Sequence, residues 1–501
     1  MKKKITSCYD ISSHTNKQKR MHLLMYNSIQ HFLDFGIENI RETVKDFIGK
    51  GDDVANLVLG LQKDIFELGR NIVSEVLEEM DEHLRKSGIR KHQWEIIRKD
   101  TVGILTSFGM TNYSRTYFLS KKTGERKYLV DNIVGIDPHD RVTADVAINA
   151  IDEAVDSSYR KGGEKASFVE VISKQAVMNK IHDLEVVQPR VAIENKKELK
   201  VLFIEADEDH VAQQRKKREI PKRPNQRGIF MPKMVYVHEG IDYDKSTKKR
   251  KVLKNVRYFG GMLNSEELWL EVSKYIDEVY DVEKVETIYL SGDGAAWIKQ
   301  GLNWIPKSKF VLDNYHLNKY IKAATAHLDN EAITQGLKDA VDEADKELLK
   351  RVFKKILELT DTEIKYNAVN DVKRYIENNW AGIEIKVDNY EIVGCSAEGH
   401  ISHIFSDRLS SRPMGWSKVG TDKMAQLRIY KKNGGKIYDL VMAQKKKEKQ
   451  ASEQELQDKL IRELKKTSSS RYLSTWNSNI TVLEKGHKTA LYNSLRNISS
   501  F

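Results

Sequence analysis

Cysteine is almost missing from this 501-residue sequence: only Cys8 and Cys395 occur, far apart and in no metal-ligand or disulfide pattern. A disulfide-stapled scaffold is excluded, and a reducing, cytosolic setting is the default. Long apolar runs are missing as well. No 18-residue apolar stretch exists, so no membrane-spanning helix is expected. Behind the basic start Met1-Lys2-Lys3-Lys4, Ile5 to His14 is too polar to form the apolar core of a signal peptide. The expectation is a protein that neither spans a membrane nor leaves the cell by that route.

What the chain has in surplus is positive charge: 84 Lys and Arg against 73 Asp and Glu, a formal net charge of +11. The surplus is bunched in Gln214–Arg223, Lys245–Arg257 and Lys445–Lys449. Any one such run is ordinarily a solvated face, but together they suggest a polyanionic partner.

Apolar residues recur at helical spacing from Val54 to Leu84 and Ser87-Gly88 ends the pattern; with Leu23 to Ile48 this predicts a helical region over 1–98. A stripe of that length could pair two copies of the chain or simply form an intrachain helical hairpin. The Thr-, Tyr- and Val-rich stretch that follows, with Lys122-Thr123-Gly124 as a turn, predicts a small β meander over 99–140. Helical spacing returns from Thr143 to Tyr159, Gly162-Gly163 is expected to break it, and Glu164 to Val171 to form a short helix. Ser173 is a plausible N-cap of a second helix, Ser173 to Asp183, with Val177 and Ile181 buried. Lys174, Gln175, Asn179 and Lys180 lie off that face, as base-reading side chains do in a helix-turn-helix, so 141–195 is expected to bind DNA.

From Leu199 to Ile321 the order reads strand, strand, strand, helix, strand, helix, strand, helix, which predicts a mixed sheet with helices against it. The apolar run Leu199–Ala206 delivers Asp207-Glu208-Asp209-His210, and Val285–Leu290 delivers Ser291-Gly292-Asp293-Gly294. Asp293-Gly294 could be a hairpin turn, but Ala295 to Ile298 lack the alternation of a returning strand. From 321 to 385 only helical spacing appears, so an all-helical insertion is expected, with the sheet domain resuming over 386–430 and a charged helical tail over 431–501. Ser396 can cap a helix that buries Ile401, Phe405 and Leu409 and carries Glu398 in its first turn.

Asp207 and Asp293 end strands, and Glu398 opens a helix beyond the insertion. Brought together, three carboxylates raise one another's pKa unless a cation sits among them. Mg²⁺ is the natural occupant, and two such ions clamp the attacking and leaving oxygens of an in-line phosphoryl displacement. With water as attacker the product is a nick; with a DNA 3′-hydroxyl it is a joined strand. Asp209 competes with Asp207 as the first ligand. A zinc site of Glu398, His400 and His403 is a weaker alternative, for want of a fourth ligand. His316 could be a helix-start histidine or could reach the strand ends.

Five segments, SYRKGGEKASFVEVISKQAV, IEADEDHVAQQ, YLSGDGAAWIKQGLNWIP, VLDNYHLNKYI and EGHISHIFSDRLSSRPMGWSKVGTDKMAQLR, resemble the DDE transposases of bacterial insertion sequences. The resemblance is closest to the ISLre-type family, more distantly to the Mutator-like group, and runs from about Arg115 to about Arg428. It implies an α+β, multidomain chain with an RNase H-like catalytic core over 196–320 and 386–430. Asp207, Asp293 and Glu398 would hold two Mg²⁺ ions, which Mn²⁺ could replace, and Asp313 and His316 would form a pair beside the metals. It implies a transposase that cleaves DNA 3′ ends and transfers them, as a homo-oligomer on double-stranded element ends and target, in a bacterial cytoplasm and at the nucleoid when DNA-bound. An inactive relative serving as a DNA-binding regulator, or an RNase H-like structure-selective nuclease, are the alternatives.

Overall fold

A computed structural model describes residues 27–51, 53–191, 193–214, 228–248, 250–392, 394–412 and 414–466. The chain divides after Met442 into two units. Most of the basic run Gln214–Arg223, Cys8 and residues 467–501 of the tail expected to be helical lie outside the described residues.

The first unit begins with helices α1 (Ile37–Lys50) and α2 (Val54–Lys86). Asp53 caps α2 by accepting the Ala55 N–H at 2.7 Å, and Ser87 ends it, as the spacing predicts. Strands β1 (Trp94–Thr106), β2 (Gly109–Ser120) and β3 (Arg126–Tyr128) form an antiparallel sheet in that order. Its first strand starts within the region expected to be helical. The edge of β2 is covered by α2: Ser74 donates to the Asn112 carbonyl, while Glu78 and Asp81 accept the N–H groups of Ser114 and Thr116. Residues four and three apart on a helix thus meet residues two apart on a strand, and the strand's open hydrogen-bonding edge is closed.

Helices α3 (Ala144–Asp156), α4 (Tyr159–Lys165) and α5 (Lys174–Asp183) come next. The expectation around Gly162-Gly163 is corrected here: both glycines lie buried inside α4, and 166–173 is not helical. A Cβ on Gly162 would stand 2.5 Å from the Ala150 carbonyl oxygen, and one on Gly163 would stand 2.2 Å from that of Ile172. The pair permits close packing instead of ending a helix. Ser173 caps α5 as expected, accepting the Ala176 N–H at 3.1 Å.

The central sheet contains β4 (Val201–Glu208), β7 (Lys233–His238), β8 (Arg257–Gly261), β9 (Thr287–Gly292) and β10 (Ser308–Leu312), in the order β10-β9-β4-β7-β8. Strands β4, β7 and β8 are antiparallel neighbours, whereas β9 and β10 are parallel to β4. A separate two-stranded ladder pairs β5 (Val211–Ala212) with β6 (Ile229–Phe230). The architecture is α+β with a mixed sheet, as the order of apolar runs predicts.

Alternation along β4 sends Leu202, Ile204 and Ala206 into one core, with helix α6 (Ser265–Val279) and the helices of the insertion. The insertion is entered along α7 (Asn314–Thr325) and continues as α8 (Glu331–Asp342), α9 (Lys346–Leu359), α10 (Glu363–Asn378) and α11 (Trp380–Asp388). The insertion is all-helical across its described residues. A second core joins Met234, Tyr236 and Tyr258 to helices α12 (Ala397–Ile401) and α13 (Lys418–Lys432), to Val146–Val155 of α3, and to the start of α14 (Ile437–Lys466). Ile401, Phe405 and Leu409 are buried as expected, and a π-helical turn over Ser402–Ser406 keeps the second of them inward.

Candidate active site

In the parallel ladder of β4 with β9, Glu205 stands opposite Ser291. Two residues further along each strand come Asp207 and Asp293, both at carboxyl ends, where open α/β sheets carry their chemistry. Asp207 is 7% exposed, and its Oδ1 accepts the Glu208 N–H at 2.8 Å. The Oδ1 of Asp293 accepts the Ala295 N–H at 2.8 Å, and its carbonyl accepts the Tyr375 hydroxyl of α10 at 2.6 Å. Gly294 has φ +89°, and a Cβ there would lie 2.4 Å from Asn379 Oδ1. Only glycine lets the insertion close against this turn. The chain leaves Gly294 into the short helix Ala296–Lys299 and then parallel β10, so the hairpin alternative is excluded.

Glu398 lies exposed in the first turn of α12. Ser396 does not cap that helix, contrary to expectation; its N–H and Oγ donate to Glu205 Oε2 at 2.6 and 3.1 Å. Burial, with the charges of Glu398 and Asp293 adding to it, pushes the Asp207 carboxyl up to about 7, against the opposing pull of the Glu208 N–H and His316. Glu398 and Asp293 are therefore electrostatic neighbours of Asp207.

Among the described residues, no three His, Cys, Asp or Glu side chains converge as a metal-holding group. The donors around Asp207 are nonetheless carboxylates, which suit a hard cation. Mg²⁺ is held by one or two of these, with water and phosphate oxygens filling the remaining positions, and needs no protein cage. Asp207 and Asp293 could hold such an ion, with Glu398 at hand.

Asp209, the rival first ligand, is also buried. Its Oδ1 accepts the His210 N–H at 2.8 Å and the Ser410 hydroxyl at 2.9 Å, while Oδ2 has no hydrogen-bond partner. The zinc alternative likewise finds no converged ligand set among the described residues. His400 Nδ1 pairs with the Tyr258 hydroxyl at 2.8 Å, and its ring stacks on Tyr236 at 4.5 Å. Burial pushes its pKa down, and exposed His403 faces Asp407 at 3.8 Å.

Asp313 caps α7, accepting the N–H groups of Tyr315 and His316 at 3.1 and 3.4 Å, and its Oδ2 meets His316 Nδ1 at 2.9 Å. That hydrogen bond, helped by the charges of Asp207, Asp313 and Asp293, raises the His316 pKa against the effect of burial. The protonated form is thereby favoured beside the acidic strand ends. In α5, Lys174, Gln175 and Asn179 are exposed, whereas Lys180 is spent on Asp140 at 2.6 Å.

Sequence reasoning missed the network behind the acids. Glu205 is 2% exposed and accepts His238 Nε2 at 3.2 Å and the Tyr236 hydroxyl, besides Ser396. A signal existed: Glu205 is two residues before Asp207, hence on the same face, and Tyr236 and His238 alternate along β7 in the same way. Glu205, His238 and Ser396 line a cavity of about 400 Å³ with Phe203, Tyr258, Cys395 and His400. Its carboxylate, imidazoles and hydroxyls are hydrogen-bonded to one another, and burial pushes the Cys395 thiol up.

A family model described as an uncharacterised protein family, UPF0236, matches residues 49–447. The chain belongs to UPF0236. Two UPF0236 proteins of Caldanaerobacter subterraneus subsp. tengcongensis are each 39% identical to it over 478 residues, covering 93% of this chain and 96% of theirs. A UPF0236 protein named for the vanSb 3′ region of Streptococcus gallolyticus is 22% identical over 409 residues, covering 78% of this chain and 87% of its own. This corrects the resemblance to ISLre-type insertion-sequence transposases: the family matched over most of the chain is UPF0236, and neither its description nor these relatives' names mentions a transposase.

Proposed function

We propose that this UPF0236 chain is a DDE-type DNA transposase, a metal-dependent phosphoryl transferase that cleaves DNA 3′ ends and transfers them to target DNA. The observation that carries the reading is that Asp207 and Asp293 stand at the carboxyl ends of neighbouring parallel strands, with Asp293 and Glu398 both near enough to raise Asp207. The strand order supports it: an antiparallel β4-β7-β8 meander extended by parallel β9 and β10 is what we read as RNase H-like. So does a relative's name, which joins eleven locus designations in one strain, as a gene repeated through a genome would require. Such repetition favours transposition over the nuclease and regulator alternatives.

Asp207, Asp293 and Glu398 would hold two Mg²⁺ ions, with Mn²⁺ able to replace them. When bound, these supply Lewis-acid stabilisation of the attacking and leaving oxygens. Asp207 and Asp293 fix the site to the rigid sheet. Asp313 orients the His316 imidazole and favours its protonated form, whose positive charge would face an incoming phosphodiester. Lys174, Gln175 and Asn179 of α5 would contact element ends, and double-stranded DNA and further copies of the chain are the partners. A cytoplasmic, nucleoid-associated location follows from that substrate.

The test incubates purified full-length protein with DNA carrying the sequences that flank its gene, in Mg²⁺ or Mn²⁺. Joined products that vanish with Asp293→Asn are expected. Free ends that are never joined would replace the reading by a nuclease, and specific binding without cleavage under any divalent ion by a regulator.

A further inference from the structure

Glu205 and Asp207 share a strand and a face, and both are buried, yet their surroundings differ. Burial would push Glu205 up, but His238, the Tyr236 hydroxyl and the Ser396 N–H together hold it below the ordinary range. Of those donors, the Ser396 N–H matters most for the site. It belongs to the residue just before α12, two positions ahead of Glu398, and the Ser396 hydroxyl reinforces the contact. Tyr236 braces both ends, since its hydroxyl reaches Glu205 and lies 2.8 Å from Ser396 Oγ. This polar clamp ties the chain returning from the insertion to β4 at Glu398's own helix start. Ser396 spends its side chain here and leaves the N-terminus of α12 uncapped.

We propose that Glu205 is a positioning residue: by gripping Ser396 it sets where Glu398 stands relative to Asp207. This rests on reading Asp207, Asp293 and Glu398 as a shared cation site. A buried carboxylate that accepts a backbone N–H and is itself braced by an imidazole and a phenol resists displacement far better than an exposed helix cap. The floor of the cavity beside the site is thus a fixture for Glu398.

The experiment uses the full chain and two readouts. Amide hydrogen exchange at Ser396–Glu398, which needs no metal, should speed up about tenfold in Glu205→Gln. Mn²⁺ affinity, read by electron paramagnetic resonance, should fall about tenfold, the low end for residues that support metal ligands. The double variant Glu205→Gln/Glu398→Gln should bind Mn²⁺ no more weakly than Glu398→Gln alone, because Glu205 acts through Glu398. Tyr236→Phe, which removes one brace and no ligand, should give the same changes at about a third of the size, and stands in if Glu205→Gln does not fold. Additive losses in the double variant, or unchanged exchange with unchanged affinity in Glu205→Gln, overturn the proposal. Wild-type protein that binds no Mn²⁺ overturns the cation site instead, and the exchange result still judges the clamp.

Discussion

Replacing Asp207 with Asn should make the metal-free protein respond differently to pH. The Asp207 carboxyl is raised from 3.8 to about 7. At about 1.36 kcal/mol per tenfold change in protonation, ionised Asp207 destabilises the fold by about 4 kcal/mol at high pH. The sign follows from linkage. Between the unfolded and folded values the native state binds more protons, so stability falls as pH rises from about 4 to about 7 and levels off above. Integrated from pH 5 to pH 8, the loss is about 2–3 kcal/mol. An amide keeps the acceptor for the Glu208 N–H and removes the charge, so the variant lacks this slope; burying its NH₂ offsets the gain by about 1–3 kcal/mol at every pH. The assay is urea unfolding in a chelator at pH 5 and pH 8, followed by tryptophan fluorescence, for which Trp297 is well placed because its indole donates to Glu208. Added Mg²⁺ should then stabilise the wild type at pH 8 and leave the variant unmoved. Equal pH slopes for the two proteins would refute the reasoning.

Gly294→Ala should destabilise the fold by about 1–3 kcal/mol from its positive φ alone, with displacement of Asn379 in addition, whereas Gly399→Ala, which meets no atom within 4 Å, should be silent in the same thermal melt. Asp313→Asn keeps an N-cap acceptor but weakens the hold on His316, so the imidazole should titrate lower by NMR; the stability that His316 contributes below its unfolded pKa and loses as pH rises through the folded one should shrink with it. Alanine at Lys174, Gln175 and Asn179 together should weaken binding to flanking DNA by fluorescence anisotropy and lower the salt slope by about one for the lost lysine, with thermal stability unchanged. A fall in melting temperature as large as that of Gly294→Ala would return those residues to a structural role.

The strand ends were legible because an apolar run and a following acid are a local signal: Leu199–Ala206 with Asp207, and Val285–Leu290 with Gly-flanked Asp293. What decides between Asp207 and Asp209 is not local. Asp207 lies near the end of β4 and Asp209 just past it, and it is Ser410, 201 residues away, that engages Asp209. The glycine pair was misread because a helix break and a close helix crossing leave the same two letters; the facing Ala150 and Ala154, small and four apart, were the distinguishing mark. Glu205 carries no local mark inside the apolar run Leu199–Ala206, since its partners lie 31 to 191 residues off.

Once those partners are known, Glu205 and Asp207 explain each other. Burial is nearly the same at 2% and 7% exposure, so desolvation cannot separate them. Their donors do: Glu205 receives bonds from Ser396, Tyr236 and His238 and is lowered, while Asp207 receives one from its neighbour's N–H, faces two further carboxylates and is raised. A fold that supplies donors so freely at one position and so sparingly two residues on, the same face in common, leaves Asp207 raised even with the His316 charge opposing the shift. That asymmetry between two acids of one strand is the reason for assigning the structural role to Glu205 and the proposed cation to Asp207.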